Sequence, residues 1–245
     1  MKLKDKVVVI TGGSKGLGLS MARILVQRGA KVVICGREEG VMVLASKGLD
    51  IKTFVADVSD ESNLSGLASY CVGQYGKIDL WINNAGIWLP REAVELTDMK
   101  KVKKLFEINV FGTMNGSRVA IRQFKSQDDG GTLMNIISTT AFDGMNGSSG
   151  AAYVASKYAL RGFTNALRDE CQGGKINIIG VYPGGIKTEL FKEAPPTTLG
   201  EFMDVDEVAE KIIHNIEQEK PDSQLIISRP GQKISNELRS TTQEN

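Results

Sequence analysis

The chain has 245 residues, 41% of them apolar and 24% charged, with a formal net charge of +1. That balance can bury a core and argues against a disordered chain. No basic stripe supports nucleic-acid binding, and no apolar run approaches the ~20 residues that span a bilayer. Residues 1–6 lack the apolar core of a signal peptide, so a cytoplasmic location with no membrane partner is expected.

In chain order, strand-sized apolar runs alternate with helix-sized amphipathic runs. Strands are predicted at residues 7–10, 31–35, 52–55, 80–83, 132–138, 177–182 and 224–228. Helices are predicted between them at 17–27, 38–47, 61–75, 99–127, 153–171 and 205–218. Strands alternating with helices build βαβ units and a parallel sheet. Several runs are apolar on both faces, as in strands covered by helices on either side, and the crossovers should be right-handed. The expectation is a single doubly wound Rossmann-type α/β domain over residues 1–228, with about seven parallel strands. Residues 192–203, which include Pro195-Pro196 and Gly200, predict a long mobile loop of the kind that covers substrates. Residues 229–245 read as a polar tail.

The single histidine, His214, lies in a charged helical stretch. That excludes a multi-histidine metal site and argues against a Ser-His-Asp triad. Cys35, Cys71 and Cys171 have no metal-ligand spacing, so they read as reduced packing residues and no metal site is expected.

The first strand runs into Thr11-Gly12-Gly13-Ser14-Lys15-Gly16-Leu17-Gly18 and then a helix. Glycines let a backbone approach a pyrophosphate closely, and the free N–H groups of the following helix face that phosphate. The strand-turn-helix context raises this above a bare glycine pattern. Further on, Tyr153 and Lys157 are four apart on a predicted helix and share one face. An ammonium near a phenol favours the phenolate, which makes the pair a general acid/base unit; alone, such a pair is more often a solvated helix face.

The spacing TGxxxGxG, with Asn83-Asn84-Ala85-Gly86, Asn109, Tyr153-x-x-x-Lys157, Pro183-Gly184 and Thr188 in that order, resembles the short-chain dehydrogenase/reductase family almost end to end. The resemblance implies an oxidoreductase acting between a carbonyl and an alcohol. Tyr153 would protonate the carbonyl oxygen as hydride arrives, Lys157 would hold the nicotinamide ribose and, together with the positive charge of the oxidised nicotinamide, depress the tyrosine pKa, and Asn109 would hold a relay water. The family's substrate-orienting serine corresponds to Ser138 by its place after the fifth strand, whereas the usual interval to the tyrosine falls on Thr140. Ser138 is preferred, with an expansion of about two residues in the 145–150 segment. For the cofactor, the resemblance implies contacts from Gly12, Ser14, Lys15, Gly16, Leu17, Gly18, Asp57, Val58, Asn84, Ala85, Gly86, Pro183, Gly184, Ile186 and Thr188, besides Tyr153 and Lys157.

An NAD preference would show as an acidic residue at the end of the second strand. That end reads Cys35-Gly36-Arg37. Arg37 offers a planar fork to a phosphate, and Lys15 adds a second cation, so NADP(H) is expected. Trp88, Phe142, Met145, Tyr182, Leu190, Phe191, Phe202 and Met203 are candidate pocket walls. The resemblance also implies a homodimer or homotetramer. A catalytically silent NADP(H)-binding regulator or scaffold is the alternative function.

Overall fold

The computed structural model describes residues 1–142 and 149–229. Its strands are β1 (Val7–Thr11), β2 (Lys31–Gly36), β3 (Ile51–Val55), β4 (Leu80–Asn83), β5 (Gly131–Ile136), β6 (Ile176–Pro183) and β7 (Gln224–Ile227). They form one seven-stranded sheet in the order β3-β2-β1-β4-β5-β6-β7, and every pairing is parallel. The helices are α1 (Gly16–Gln27), α2 (Glu39–Ser46), α3 (Glu61–Tyr75), α4 (Met99–Phe106), α5 (Gly112–Lys125), α6 (Ala151–Glu170) and α7 (Val205–Glu217).

The pleat divides β1 between two cores. Val8 and Ile10 pack with Met21 and Leu25 of α1, Met42 of α2 and Ile212, Ile213 and Ile216 of α7. Val7 and Val9 pack with Leu64 and Leu67 of α3, Val119 and Phe124 of α5 and Leu167 of α6. Val8, Val9 and Ile10 are fully buried, and each such side chain contributes roughly 1.5–3 kcal/mol. Burial on both faces is why these strands read as unbroken apolar runs. The strand order reverses between β1 and β4, and a crevice opens there beyond the strands' carboxyl ends.

Two elements differ from the sequence expectation. The helix predicted over 99–127 is α4 and α5 joined by a π-helical turn, Glu107–Phe111. Such turns cluster at functional positions, and this one holds Asn109. The helix passes so close to Val58 that a Cβ on Gly112 would lie 2.6 Å from Val58 Cγ2. The fifth strand was expected to reach Ser138 but ends at Ile136. The Ile137 N–H still donates to the Val181 carbonyl at 2.7 Å. Ser138 then caps a short 3₁₀ turn, Thr139–Ala141. The expansion expected near 145–150 falls mostly, and the tail beyond 229 wholly, outside the described residues, as does Met145.

Residues 187–202 make a long excursion after β6, closed at its base. Lys187 N–H donates to the Met203 carbonyl at 2.9 Å, and Met203 N–H to the Gly185 carbonyl at 2.9 Å. His214 is exposed on α7 and meets the Gln218 amide at 3.0 Å. Cys35 and Cys71 are buried, and burial pushes both thiols up to about 12, as inert packing residues behave. Among the described residues no helix is long and apolar enough to cross a membrane, and no cluster could hold a metal ion.

Candidate active site

The turn between β1 and α1 lies at the reversal point of the sheet. Gly12 and Gly16 have φ of 62° and 53°, a region that glycine alone enters without strain. Leu17 turns its side chain into the core, which leaves its backbone at the helix entrance. Lys15, at the cap position of α1, makes no side-chain capping bond, and the first turn holds no acid. By contrast α3, α4 and α7 are capped by Asp60, Asp98 and Asp204. The positive end of α1 is thus left uncompensated, as an anion-binding helix terminus requires.

The segment after β4 braces this turn. Asn84 Nδ2 donates to the Thr11 and Gly12 carbonyls, each at 3.0 Å. Thr11 Oγ1 accepts from the Asn84 and Ala85 N–H groups at 3.0 and 3.1 Å. A Cβ on Gly18 would lie 2.5 Å from Asn84 Nδ2, so glycine is needed there for the helix to approach. Ser14 Oγ lies beside Gly36, 3.3 Å from where a Cβ would stand, which sets the turn against the end of β2.

Arg37 and Lys15 are exposed at that end. Asp57 stands past the end of β3. Burial pushes its carboxyl up, but two hydrogen bonds from Ser59, with Lys104 and Arg37 nearby, outweigh that and hold it below its ordinary value. Val58 is buried. Beyond β6, Pro183 ends the strand, Gly184 N–H donates to the Ile227 carbonyl at 2.8 Å, and Ile186 is buried. Thr188 lies over the glycine turn: a Cβ on Gly16 would be 3.4 Å from Thr188 Cβ.

Tyr153 and Lys157 sit on α6. Tyr153, Lys157 and Ser138 are all buried, and the Ser138 hydroxyl stands beside Tyr153 and favours its phenolate. Lys157 Nζ lies 5.5 Å from the Tyr153 ring centroid. Burial pushes Lys157 down to about 8 and Tyr153 up to about 12, the Ser138 hydroxyl offsetting only part of the latter. Both directions follow from lost hydration in the protein by itself, whereas the expected depression of the phenol includes the positive charge of an oxidised nicotinamide. Ser138 Oγ also accepts from the Thr140 N–H at 3.2 Å, while Thr140 Oγ1 is buried without a hydrogen-bond partner.

Asn109 holds the segment after β4 in place. Its Nδ2 donates to the Ile87 carbonyl at 2.9 Å and its Oδ1 accepts the Ile87 N–H at 2.8 Å. Gly86 passes close to the same side chain. Sequence reasoning missed the polar network behind the site. Asn83 Oδ1 accepts from Trp81 Nε1 at 2.9 Å; Asn83 Nδ2 donates to Asn135 Oδ1 at 2.9 Å and Ser117 Oγ at 3.1 Å; Asn135 Nδ2 donates to Thr164 Oγ1 at 3.0 Å. The signal was an asparagine, Asn135, inside an apolar strand. Of the expected pocket walls, Phe142 and Tyr182 instead pack on each other, centroids 4.6 Å apart, in a core cluster with Leu160. Tyr182 is wholly buried, because β6 is flanked by β5 and β7 and its ring packs on Phe142 and Leu160.

A parallel sheet that reverses its order at an uncapped glycine turn defines the Rossmann class of dinucleotide-binding folds. Within that class the chain belongs to the short-chain dehydrogenase family, whose family model matches residues 6–198. These are oxidoreductases that use a nicotinamide cofactor. The chain is 32% identical over 200 residues to the uncharacterised oxidoreductase YxnA of Bacillus subtilis (strain 168), covering 79% of this chain but only 55% of that relative. It is 35% identical to the NADP-dependent (R)-specific alcohol dehydrogenase of Lentilactobacillus kefiri, over 77% of this chain and 76% of that relative. Among solved structures, the 3-ketoacyl-(acyl-carrier-protein) reductase from Brucella melitensis complexed with NADH superposes with a TM-score of 0.82 at 26% identity, covering 92% of this chain and 98% of that one.

Proposed function

We propose that the protein is an NADP(H)-dependent oxidoreductase that interconverts a carbonyl and an alcohol, and that residues 1–228 act as one catalytic domain. The observation that carries this reading is the buried cluster of Tyr153, Lys157 and Ser138 beyond the carboxyl end of β5. The residues present fit a dinucleotide: the uncapped α1 and its glycine turn suit a pyrophosphate, with Asn84, Ala85, Gly86, Asp57, Val58, Pro183, Gly184, Ile186 and Thr188 around the groove. A nicotinamide would supply or accept the hydride here and, when oxidised, would bring a positive charge to the site. Tyr153 holds the proton that goes to the carbonyl oxygen and takes it back from the alcohol. Ser138 hydrogen-bonds the same oxygen and fixes the phenol's direction. Lys157 would donate to the ribose hydroxyls, and Asn109, in the π turn packed against α6, would hold a water that connects Lys157 to bulk solvent.

The NADP(H) preference rests on the end of β2, which has no carboxylate to repel a 2′-phosphate and presents Arg37 with Lys15 near it. Residues 192–203 serve as the substrate loop. Phe111 and Tyr158 are 56% and 44% exposed on the π turn and α6, which supports a homodimer through that face. The test is loss of NADPH absorbance with a panel of ketones and aldehydes, NADH run alongside and Tyr153→Phe as control. Turnover that survives Tyr153→Phe would overturn the assignment.

A further inference from the structure

Two loops that leave the carboxyl edge of the sheet at different strands meet through aromatic rings. Trp88, after β4, meets Phe191, after β6, edge to face with centroids 5.1 Å apart and planes at 71°. Phe191 in turn meets Phe202 at 5.2 Å and 73°. Each end of this row is fixed. Trp88 Nε1 donates to Ser149 Oγ at 3.4 Å, and Gly150 N–H donates to the Leu89 carbonyl at 3.2 Å, which ties the Trp88 loop to the start of the helix that carries Tyr153. Phe202 lies under the Arg229 guanidinium, 5.4 Å from its ring centroid, while Arg229 pairs with Glu201 at 3.2 Å.

The three rings carry no charge of their own; Phe202 is buried, and Trp88 and Phe191 are partly open. An edge-to-face pair contributes ~0.5–1.5 kcal/mol, so a planar ligand that replaces one ring edge with a stacked face can part the rings at little net cost. A small or charged group gains no such replacement.

Resting on the carbonyl-reductase reading above, we propose that Trp88 and Phe191 are specificity-determining residues that select neutral carbonyl compounds bearing a planar aryl group. The group inserts between the two rings, and the carbonyl then points toward Tyr153. Ser149 acts as a positioning residue for the indole.

The test compares kcat/KM with NADPH for acetophenone, acetaldehyde and pyruvate in the wild type, W88A, W88F and F191A. The acetophenone-to-acetaldehyde ratio is expected to fall about 10-fold in W88A and in F191A, equivalent to about 1.4 kcal/mol. W88F, which keeps a ring, should retain the ratio within about 3-fold, and KM for NADPH should not move in any variant. A ratio that stays put in both W88A and F191A, or a wild type that prefers pyruvate, overturns the proposal.

A second readout needs no turnover. The protein has two tryptophans, and Trp81 is fully buried, so the emission lost in W88F belongs to Trp88. Benzamide, an unreduced planar analogue, should change that emission saturably, and acetamide should not. If the wild type reduces none of the carbonyls but benzamide still saturates the Trp88 signal, the recognition stands and the carbonyl reading falls. A flat benzamide titration overturns the recognition itself.

Discussion

Tyr153 and Lys157 lie one turn apart on α6, with the lysine nitrogen 5.5 Å from the tyrosine ring centroid and both side chains buried. The arrangement puts a proton donor and a cation in one water-poor spot, where each changes the other's work. Tyr153→Phe keeps the ring and removes the proton, and it should lower kcat by ~10²–10⁴-fold, the range of general acid/base catalysis. Cofactor affinity, read by NADPH fluorescence, should stay within a few-fold. A variant that loses cofactor binding as fully as turnover would show that the phenol holds structure rather than chemistry.

Burial of Lys157 also sets a pH dependence of stability. Its ordinary value of 10.5 drops to about 8 in the fold. Between those values the unfolded chain holds a proton that the folded chain has released, so this group's contribution to stability rises with pH. Below about pH 8 both states hold the proton, and the folded state bears the full cost of burying it. Tyr153 acts oppositely, its rise from 10.0 to about 12 lowering stability above pH 10. Cys35 and Cys71, raised from 9.0 to about 12, do the same above pH 9. The Lys157→Met variant carries the same thiols and phenols, so the difference between it and the wild type from pH 8 to 9 reports Lys157. Urea unfolding of wild type and Lys157→Met should show the wild type gaining up to ~1.4 kcal/mol on the variant across that single pH unit. Parallel curves at the two pH values would contradict the buried charge.

Ser138 and Thr140 compete for the role of substrate-orienting hydroxyl, and the geometry separates them. The Ser138 hydroxyl stands beside Tyr153 and favours its phenolate, and it accepts the Thr140 N–H at 3.2 Å, whereas Thr140 Oγ1 meets no partner. Ser138→Ala should cost ~10²-fold or more in kcat, as loss of a preorganised donor does, while Thr140→Val should stay within a few-fold and could gain stability by removing a buried unpaired hydroxyl. Steady-state kinetics of both variants on one carbonyl substrate decides it, and the reverse ranking would move the role to Thr140.

The sequence made the sheet legible because its strands are buried on both faces and bounded by helices; all seven fall where the apolar runs stand. The glycine turn was readable because its pattern needs both a strand before it and a helix after it. The π turn was not, because residues 107–111 carry no proline or glycine and keep an unbroken helical pattern. Ser138 could be placed near a strand end, but its exit from the strand depends on a 3₁₀ turn capped by its own hydroxyl. The Trp88–Phe191 contact was illegible for a different reason: both residues could be named as pocket walls, but a meeting of residues so far apart in sequence is set by where two loops leave the sheet.

Arg37 tests the cofactor reading. If its guanidinium receives a 2′-phosphate, Arg37→Ala removes one or two charge-assisted hydrogen bonds, each worth ~1.5–3 kcal/mol. KM for NADPH should rise ~10–100-fold, while KM for NADH changes little. Arg37→Asp should go further and favour NADH, since a carboxylate there can accept from ribose hydroxyls. Equal losses with both cofactors would remove Arg37 from the discrimination.

The network behind the site makes a prediction about stability. Asn83 receives the Trp81 indole N–H and bonds Asn135 Oδ1, Ser117 Oγ and, at 3.3 Å, the Thr113 carbonyl. Thr113 Oγ1 donates to the Asn109 carbonyl at 2.8 Å, so the same network reaches the π turn. Asn83→Ala strands at least the Trp81 donor in a dry interior, and an unsatisfied buried group costs ~1–3 kcal/mol. With the cavity added, a loss of ~3–5 kcal/mol is expected, a large part of an ordinary domain's stability. Gly116 permits the arrangement, because a Cβ there would overlap Asn83 Oδ1; Gly116→Ala should therefore destabilise too, although alanine normally favours a helix by ~1 kcal/mol over glycine. Urea unfolding of both variants provides the measurement. A Gly116→Ala protein more stable than the wild type would mean that Asn83 can shift aside without loss, and that its bonds do not hold the π turn in place.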